Sequence, residues 1–500
     1  MNRGPGLDHD TIVGRGGASS LADPELISPR LRRRRAYSLV LLTLVAPGSA
    51  QLVAGNRQVG RVALRIAIAL FVTVLVIGAV FFVDRAFVIN LLARPFMLNA
   101  AAAGAAALAL GWAGLFLDTL RLARLRLVPT STRRGVAGLT AALMLLTSGT
   151  LAWGARTLKI SADTMNTVFG QHKVMRPSDG RYNVLLLGGD SGAGREGTRP
   201  DTLMLASINA DTGKTVLFSF ARDTENINFR RGSTMARLMP EGWNCGDQCL
   251  LNGLYQWGRQ NADRFPSNTK DPGIVVTKEA VEALSGLDIQ YYGLVDLVGF
   301  RRFIDAVGGI EINVGKRTPI GGGTSPIKGW IEPGPQRLDG YHALWYARSR
   351  EGSSDYDRMA RQRCVMNAML QQLDPQTVIT KFQGIAGAAG STLVTDIPAA
   401  DLGTLGDLAL KSRANKMTSV SFVPPLIKPW DYDPQVILDK VDSTIKASEA
   451  TKAPAPAPAP ADAPRTASTP RADGGSTSTS TSGAGSGTTA DDLTEVCSVP

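Results

Sequence analysis

Histidine is nearly absent from this chain: His9, His172 and His342 are the whole complement. Imidazoles so few and so scattered argue against a histidine-based zinc site and against a Ser-His-Asp triad. His342, in GYHALWYARSR, reads as a residue on a helix face. Cysteine is scarce too, with four in 500 residues. Cys245 and Cys249, in EGWNCGDQCLLNG, have the wrong spacing for a C-x-x-C redox pair and lack partners for zinc. Outside the cytoplasm, a local disulfide between them is the expected state. Cys364 reads as a buried thiol on a helix, and Cys497 has no assignable partner. The glycine-rich stretch LLLGGDSGAG follows an apolar run but lacks the lysine and Ser/Thr that complete a P-loop. Its glycines instead let the backbone turn sharply and carry Asp190 to a sheet edge. Interleaved aromatic and basic residues are missing as well. The net charge of +11 therefore does not point to nucleic acid as a partner.

Long apolar runs are present. Ile66–Val83, Met97–Leu117 and Val136–Ala155 are uncharged and long enough to span a bilayer. They lie too far into the chain, and recur too often, to be a cleaved signal. A fourth apolar stretch, Ala36–Ala54, is interrupted at Pro47-Gly48-Ser49. The arginines orient these spans: Arg121, Arg124, Arg126, Arg133 and Arg134 separate the last two, and Arg32–Arg35 precede the first stretch. That places the last span as exiting and the remaining chain outside the cytoplasm. Residues 36–54 then form either a re-entrant hairpin bent at Pro47-Gly48 or a fourth span.

The length implies two or three units. The expected division is a disordered basic cytoplasmic N-terminus over 1–35, a membrane region over 36–155, a linker over 156–180, a globular domain over 181–447 and a tail over 448–500. The tail is Pro/Ala-rich and then Ser/Thr/Gly-rich, a composition that buries no core. In the globular part, GLDIQYYGLVDLVGFRRFIDAVGGIEINV reads as strand, helix and strand. LDGYHALWYARSR and SDYDRMARQRCVMNAMLQQL each read as a helix. Strands alternating with helices make this an α/β layered domain.

Two charged stretches carry the chemistry. Apolar runs precede Asp190, follow Asp201 and precede Arg222-Asp223, so strands there bring Asp190, Arg199, Asp201, Arg222 and Asp223 to one sheet edge. Carboxylates at such an edge hold hard cations, and guanidinium groups grip phosphate oxygens. Arg348 and Arg350 both point inward only if their helix ends beside them, and Gly352-Ser353-Ser354 supplies that end. Arg358, Arg361 and Gln362 share a helix face at i, i+3 and i+4. So many inward cations need a polyanion.

The ordered set GGD, RPDT, FARDT, LNGLY, LDGYHALWYARSR and DYDRMARQ resembles the LytR-CpsA-Psr family of bacterial cell-envelope transferases, in particular its actinobacterial branch. The resemblance covers Arg181 to Asp374 and continues weakly to Ala447. The multi-span N-terminus departs from the family's usual single-helix anchor. The resemblance implies an α/β/α sandwich with a lipid pocket beside the sheet. It implies transfer of a glycopolymer from a polyprenyl-pyrophosphate carrier to peptidoglycan, through a phosphodiester bond, with magnesium or another divalent cation. It assigns Asp190 and Asp201 to the metal. Arg199, Arg222, Arg348, Arg350, Arg358 and Gln362 fall to the pyrophosphate. Asp223 is placed to orient Arg222, and Arg195 and Arg361 are further candidates. Asp201 is favoured over Asp190 as the base. A pyrophosphate hydrolase using the same residues, or a non-catalytic lipid-binding regulator, are the alternatives.

Overall fold

The structure, a computed structural model, describes residues 29–169, 172–190, 199–323, 325–372, 393–450, 491–492 and 497. It divides into two compact units, 1–165 and 166–500.

The first unit is helical. Helix α1 (Pro29–Val45) and the short α2 (Ser49–Ala54) are joined by a turn at Pro47-Gly48. Gly48 has a φ of +94°, and a Cβ there would stand 2.6 Å from the Gly60 carbonyl oxygen, so only glycine lets this turn close on the next helix. Helices α3 (Arg57–Val83), α4 (Arg85–Ala93), α5 (Pro95–Leu122) and α6 (Thr130–Val168) follow. The Asp84 side chain caps α4 by accepting from the Phe87 amide. Among the described residues, three helices are long and apolar enough to cross a membrane: Arg57–Val83, Pro95–Leu122 and Thr130–Asn166. Each extends past its uncharged run, because a helix continues into its charged flanks as long as its backbone bonds are satisfied. Buried Gln51 of α2 donates to the Leu115 carbonyl and to the Thr119 hydroxyl, fastening α2 to α5.

Three boundaries differ from the sequence expectation. Helix α1 begins at Pro29, so 29–35 is helical; proline suits a first helical turn, where its missing N–H costs nothing. The expected linker from 156 is helical as far as Val168. The expected disordered tail contributes a strand at Asp491–Asp492, while 1–28 and 451–490 lie outside the described residues.

The second unit is the α/β domain. In chain order it runs β1 (Arg181–Gly189), β2 (Pro200–Asn209), β3 (Thr215–Phe220), α7 (Thr234–Leu238), α8 (Gly253–Gln260), α9 (Pro272–Ser285), β4 (Tyr291–Asp296) and α10 (Leu297–Val307). Next come β5 (Ile310–Val314), the hairpin β6 (Thr318–Gly322) and β7 (Ser325–Ile331), β8 (Gly334–Leu338), α11 (Gly340–Arg348) and α12 (Asp355–Gln372). It closes with β9 (Leu393–Thr395), α13 (Leu402–Arg413), β10 (Thr418–Phe422), α14 (Pro434–Ala450) and β11 (Asp491–Asp492). Among the described residues the main sheet has seven strands, in the order β11-β10-β3-β2-β1-β4-β9.

Alternation along the strands builds two apolar faces. Leu185, Leu187, Leu203, Leu205 and Phe218 pack against Tyr255 of α8, Val276 of α9 and Ile437 of α14. On the opposite face, Leu186, Met204 and Leu217 meet Met366 and Leu370 of α12, and Tyr182 and Tyr291 meet Leu408 of α13. The result is an α/β/α sandwich. A second core, with Ile304 of α10, Ile312 of β5, Ile320 of β6, Tyr346 of α11 and Val365 of α12, joins these helices to the smaller strands.

Pairing directions decide which residues meet. β1 and β3 are each antiparallel to β2, whereas β4 runs parallel to β1 and β10 parallel to β3. The ends of β1, β3, β4 and β10 therefore share one end of the sheet with the beginning of β2.

Cys245 and Cys249 form a disulfide. Cys364 is not a buried thiol, as the sequence suggested: it is half-buried and bonded to Cys497. The partner lies 133 residues away, a separation that no local spacing rule reveals. This bond closes a long loop and ties Cys497 to α12. Cys497→Ser should therefore destabilise the oxidised chain by roughly 2–4 kcal/mol. Denaturant unfolding measures the loss, and non-reducing peptide mapping should join the Cys364 and Cys497 peptides in the wild type.

Candidate active site

At the shared end of the sheet, a register shift at Gly188-Gly189 turns the chain out of β1 into Asp190, whose amide donates to the Arg199 carbonyl. Gly188 is constrained, since a Cβ there would lie 2.9 Å from the Thr202 side chain. Asp201 is the second residue of β2, and Arg222 stands two residues beyond β3. Arg348 is the last residue of α11, and the amide of Ser349 closes that helix on the Trp345 carbonyl. The helix ends there, so Arg350 leaves on the loop and points to the same place as Arg348. Arg358 and Gln362 come from the first turns of α12. Asp190, Arg199, Asp201, Arg222, Arg348, Arg350, Arg358 and Gln362 all line one cavity of about 790 Å³.

Carboxylates hold the arginines in place. Arg222 donates to Asp201 Oδ1 at 2.8 Å, and Asn252 Nδ2 approaches the same oxygen at 3.4 Å. Arg350 reaches Asp201 Oδ2 at 3.3 Å, and buried Arg358 donates to the Asp201 carbonyl at 3.2 Å. Asp355 organises the same arginines from the other side, at 3.6 Å from Arg222, 3.2 Å from Arg350 and 2.9 Å from Arg358. Arg348 lies 3.5 Å from Asp190 Oδ1. Arg199 donates to Gln256 Oε1 at 2.9 Å, and Gln362 donates to the Ala347 carbonyl at 3.2 Å.

Burial acts to raise the Asp201 carboxyl, but the Arg222 hydrogen bond and the charges of Arg222, Arg358 and Arg350 outweigh it and hold the group below the usual carboxylate range. Burial, reinforced by Arg350 and Arg222, brings the Arg358 guanidinium down to about 10, against the pull of Asp355 and Asp201. Even so, Arg358 is a cation at neutral pH. The polar part of the cavity is thus a set of fixed positive groups with balancing carboxylates. Much of the remaining lining is apolar, with Phe300, Phe303, Leu344, Trp345, Met366 and Met369.

Two residues considered from the sequence lie outside the cavity lining. Asp223 is absent from the cavity lining, and its Oδ1 makes no hydrogen bond. The turn that aims Arg222 inward sends the next side chain towards Tyr356, whose hydroxyl is pushed up by burial and then by Asp223 and Asp355. Arg222 is held by Asp201 and Asp355, and the Asp223 charge adds to theirs. Arg361 does not face the cavity either; it donates to the Tyr346 and Ser349 carbonyls and so closes the end of α11. Arg195 lies outside the described residues. Asp355, Asn252 and Gln256 were missed. Asp355 could have been found from its place three residues before Arg358 on one helix, and Asn252 from its place in LNGLY. Nothing local marks Gln256.

Among the described residues, no group of three or more His, Cys, Asp or Glu side chains is arranged to hold a metal unaided. Asp190 and Asp201 are two hard oxygen donors lining one cavity. That donor set fits magnesium, which takes one or two carboxylates and completes its shell with phosphate oxygens and water.

The LytR_cpsA_psr family matches residues 154–427, and the chain belongs to that family. It is 31% identical over 226 residues to the polyisoprenyl-teichoic acid–peptidoglycan teichoic acid transferase TagU of Oceanobacillus iheyensis, covering 45% of this chain and 61% of that one. It is 26% identical over 244 residues to the cell wall biosynthesis protein LcpA of Corynebacterium glutamicum, covering 44% and 45%. The chain thus spans less than two thirds of the length of these relatives. A crystal structure of B. subtilis TagV is similar at 22% identity and a TM-score of 0.40, over 54% of this chain and 98% of that one.

The depressed Asp201 group makes stability depend on pH in one direction. Its contribution is complete above the unfolded carboxyl value of about 3.9 and is lost as pH falls through the lower folded value. Asp201→Asn should therefore be less stable than wild type at neutral pH, with the two denaturation curves converging below pH ~4. Asp355→Ala removes one of the two acidic residues that Arg222, Arg350 and Arg358 share and should cost roughly 2–3 kcal/mol, discounted for partial exposure. Inorganic pyrophosphate should raise the melting temperature of that variant more than that of wild type.

Proposed function

We propose that this chain is a membrane-anchored phosphotransferase that moves a glycopolymer from a polyprenyl-pyrophosphate carrier onto peptidoglycan. One observation carries the reading: a single cavity is lined both by five arginines with carboxylates and by a set of large apolar side chains. A pyrophosphate on a long hydrocarbon chain has this polarity. Membership of the family and the similarity to a named teichoic acid transferase support the same class. The three apolar helices and the arginines that separate them support anchoring with the α/β domain outside the cytoplasm.

In this reading the hydrocarbon lies against Phe300, Phe303 and Met369, and the pyrophosphate lies among Arg222, Arg348, Arg350 and Arg358. A hydroxyl of the acceptor glycan, at the muramic acid 6-position, attacks the phosphorus that carries the glycan. The new P–O bond forms as the P–O–P bridge breaks, and polyprenyl phosphate leaves. The arginines stabilise charge that gathers on the bridging and leaving oxygens, which is most of what phosphoryl transfer asks of a protein. The hydroxyl proton goes to a carboxylate. Asp201 already accepts from Arg222 and Asn252 and pairs with Arg350, which makes it the weaker base, so the proton is assigned to Asp190. Asp190 and Asp201 are also the side chains that would hold a divalent cation, whose chemistry is to neutralise pyrophosphate charge. No outside energy source is needed, because the pyrophosphate bond is consumed.

The purified full chain, given lipid-linked glycan and peptidoglycan, should form a covalent glycan–phosphate–peptidoglycan product. Release of free glycan phosphate alone would sink the transfer reading and leave a hydrolase. Arg222→Ala should lower the rate by about 10²–10³-fold. Chelation should abolish transfer, and added magnesium should restore it.

A further inference from the structure

The carboxylates that line the cavity are Asp190, Asp201, Asp296 and Glu351. Asp190 and Asp201 pair with arginines, and Asp296 caps α10 by accepting from the Gly299 amide at 2.6 Å. Glu351 has neither task. Among the described residues it forms no ion pair, and its Oε2 accepts a hydrogen bond from the Gly323 amide at 3.0 Å. It follows Arg350 in the chain, so its Cα lies about 3.8 Å from that of an arginine that reaches both Asp201 and Asp355. Nor is it part of a metal cluster: among the described residues Glu351 is not grouped with Asp190 and Asp201 as ligands of one ion.

The tip of the β6–β7 hairpin completes this part of the lining, with Gly321, Gly322, Gly323 and Ser325. Gly322 is seated on Glu351: its φ is +100°, and a Cβ there would stand 2.6 Å from the Glu351 Cβ. Gly323 has a φ of +64° and open space where its Cβ would be, with no atom within 4 Å. The bare backbone leaves room beside Glu351 that a side chain would fill. Charge decides what belongs there. A carboxylate accepts hydrogen bonds and donates none, so it repels pyrophosphate oxygens. It can accept about four hydrogen bonds, and the Gly323 amide supplies one. Its complement is a neutral group rich in hydroxyl donors, lying next to the pyrophosphate. A sugar ring esterified to that pyrophosphate is such a group.

We propose that Glu351 and the glycine tip of the β6–β7 hairpin form the subsite for the first sugar ring of the donor. The Glu351 carboxylate accepts hydrogen bonds from ring hydroxyls, and Gly323 leaves the ring its space. Glu351 selects what the pyrophosphate carries and takes no part in bond cleavage. The subsite rests on the donor of the reading above, a glycan on a lipid pyrophosphate, and not on the fate of that glycan.

The test uses the full chain in detergent and two kinds of ligand that differ only in the sugar: farnesyl pyrophosphate, and farnesyl pyrophosphate esterified to glucose or to N-acetylglucosamine. By calorimetry, Glu351→Ala should weaken the sugar-bearing ligands about tenfold and leave the Kd for farnesyl pyrophosphate unchanged. Gly323→Asn keeps a residue that tolerates the left-handed backbone but fills the space, and it should show the same selective loss. Near-ultraviolet circular dichroism identical to wild type would establish that both variants are folded. If Glu351 only tethers the hairpin, Glu351→Ala will weaken both kinds of ligand alike, and the subsite is overturned. It is overturned too if the variants bind the sugar-bearing ligands as wild type does, or if the only change is a raised KM for peptidoglycan, which would put the acceptor at Glu351. Wild type binding neither kind of ligand would refute the donor and the subsite together. A chain that shows the selective loss yet only hydrolyses its donor would sustain the subsite and refute transfer.

Discussion

The 2.8 Å contact between Arg222 and Asp201 joins the end of β3 to the start of β2, and most of the site is arranged around it. Five guanidinium groups lining one cavity repel one another, and several are partly withdrawn from water. Asp201 and Asp355 stand between them and make the set tolerable. Asp201 receives Arg222 and Arg350 on different oxygens, while its backbone carbonyl receives Arg358. Asp355 touches the same three side chains from α12. Removing either carboxylate therefore leaves buried charge uncompensated, which costs more than the ion pair itself contributes.

That arrangement depends on strand direction. Because β2 runs against both β1 and β3, its first residues return to the end where β1 and β3 finish. A parallel β2 would put Asp201 at the far end of the sheet, roughly a strand length of 17–20 Å away. The arginines of α11 and α12 arrive independently, on helices held by the second core and, for α12, by Leu186, Met204 and Leu217 of the sheet. The cavity is the space left between that core and the sheet, which explains why its polar part carries charges from two separate parts of the chain.

Much of this was legible in the sequence because it follows from short-range rules. Apolar runs bounded by glycine, aspartate and proline marked β1 to β3, and their charged neighbours pointed to one edge. Helical spacing placed Arg358 and Gln362 together. What failed to show follows from tertiary geometry. The turn after β3 keeps Asp223 out of the cavity that Arg222 lines, although adjacent letters suggest a shared place. Arg361 has the spacing of an inward residue, yet unsatisfied carbonyls at the end of α11 claim it. The Cys364–Cys497 bond joins residues on either side of a low-complexity stretch, and nothing in either neighbourhood names the other.

The two parts of the cavity lining do different work in the proposed reaction. Contacts between hydrocarbon and Phe300, Phe303 or Met369 are the same before and during bond cleavage, so they raise affinity without accelerating chemistry. The arginines meet a charge distribution that changes, because negative charge moves onto the bridging and leaving oxygens as the P–O–P bond opens. Their fixed positions then matter more than their number: groups already held by Asp201 and Asp355 need little reorganisation when that charge appears. The carboxylate network that makes the arginine cluster stable in the resting protein is thus also what keeps it preorganised for transfer. A cluster of the same arginines on mobile side chains would bind a polyanion and do little to its reaction rate.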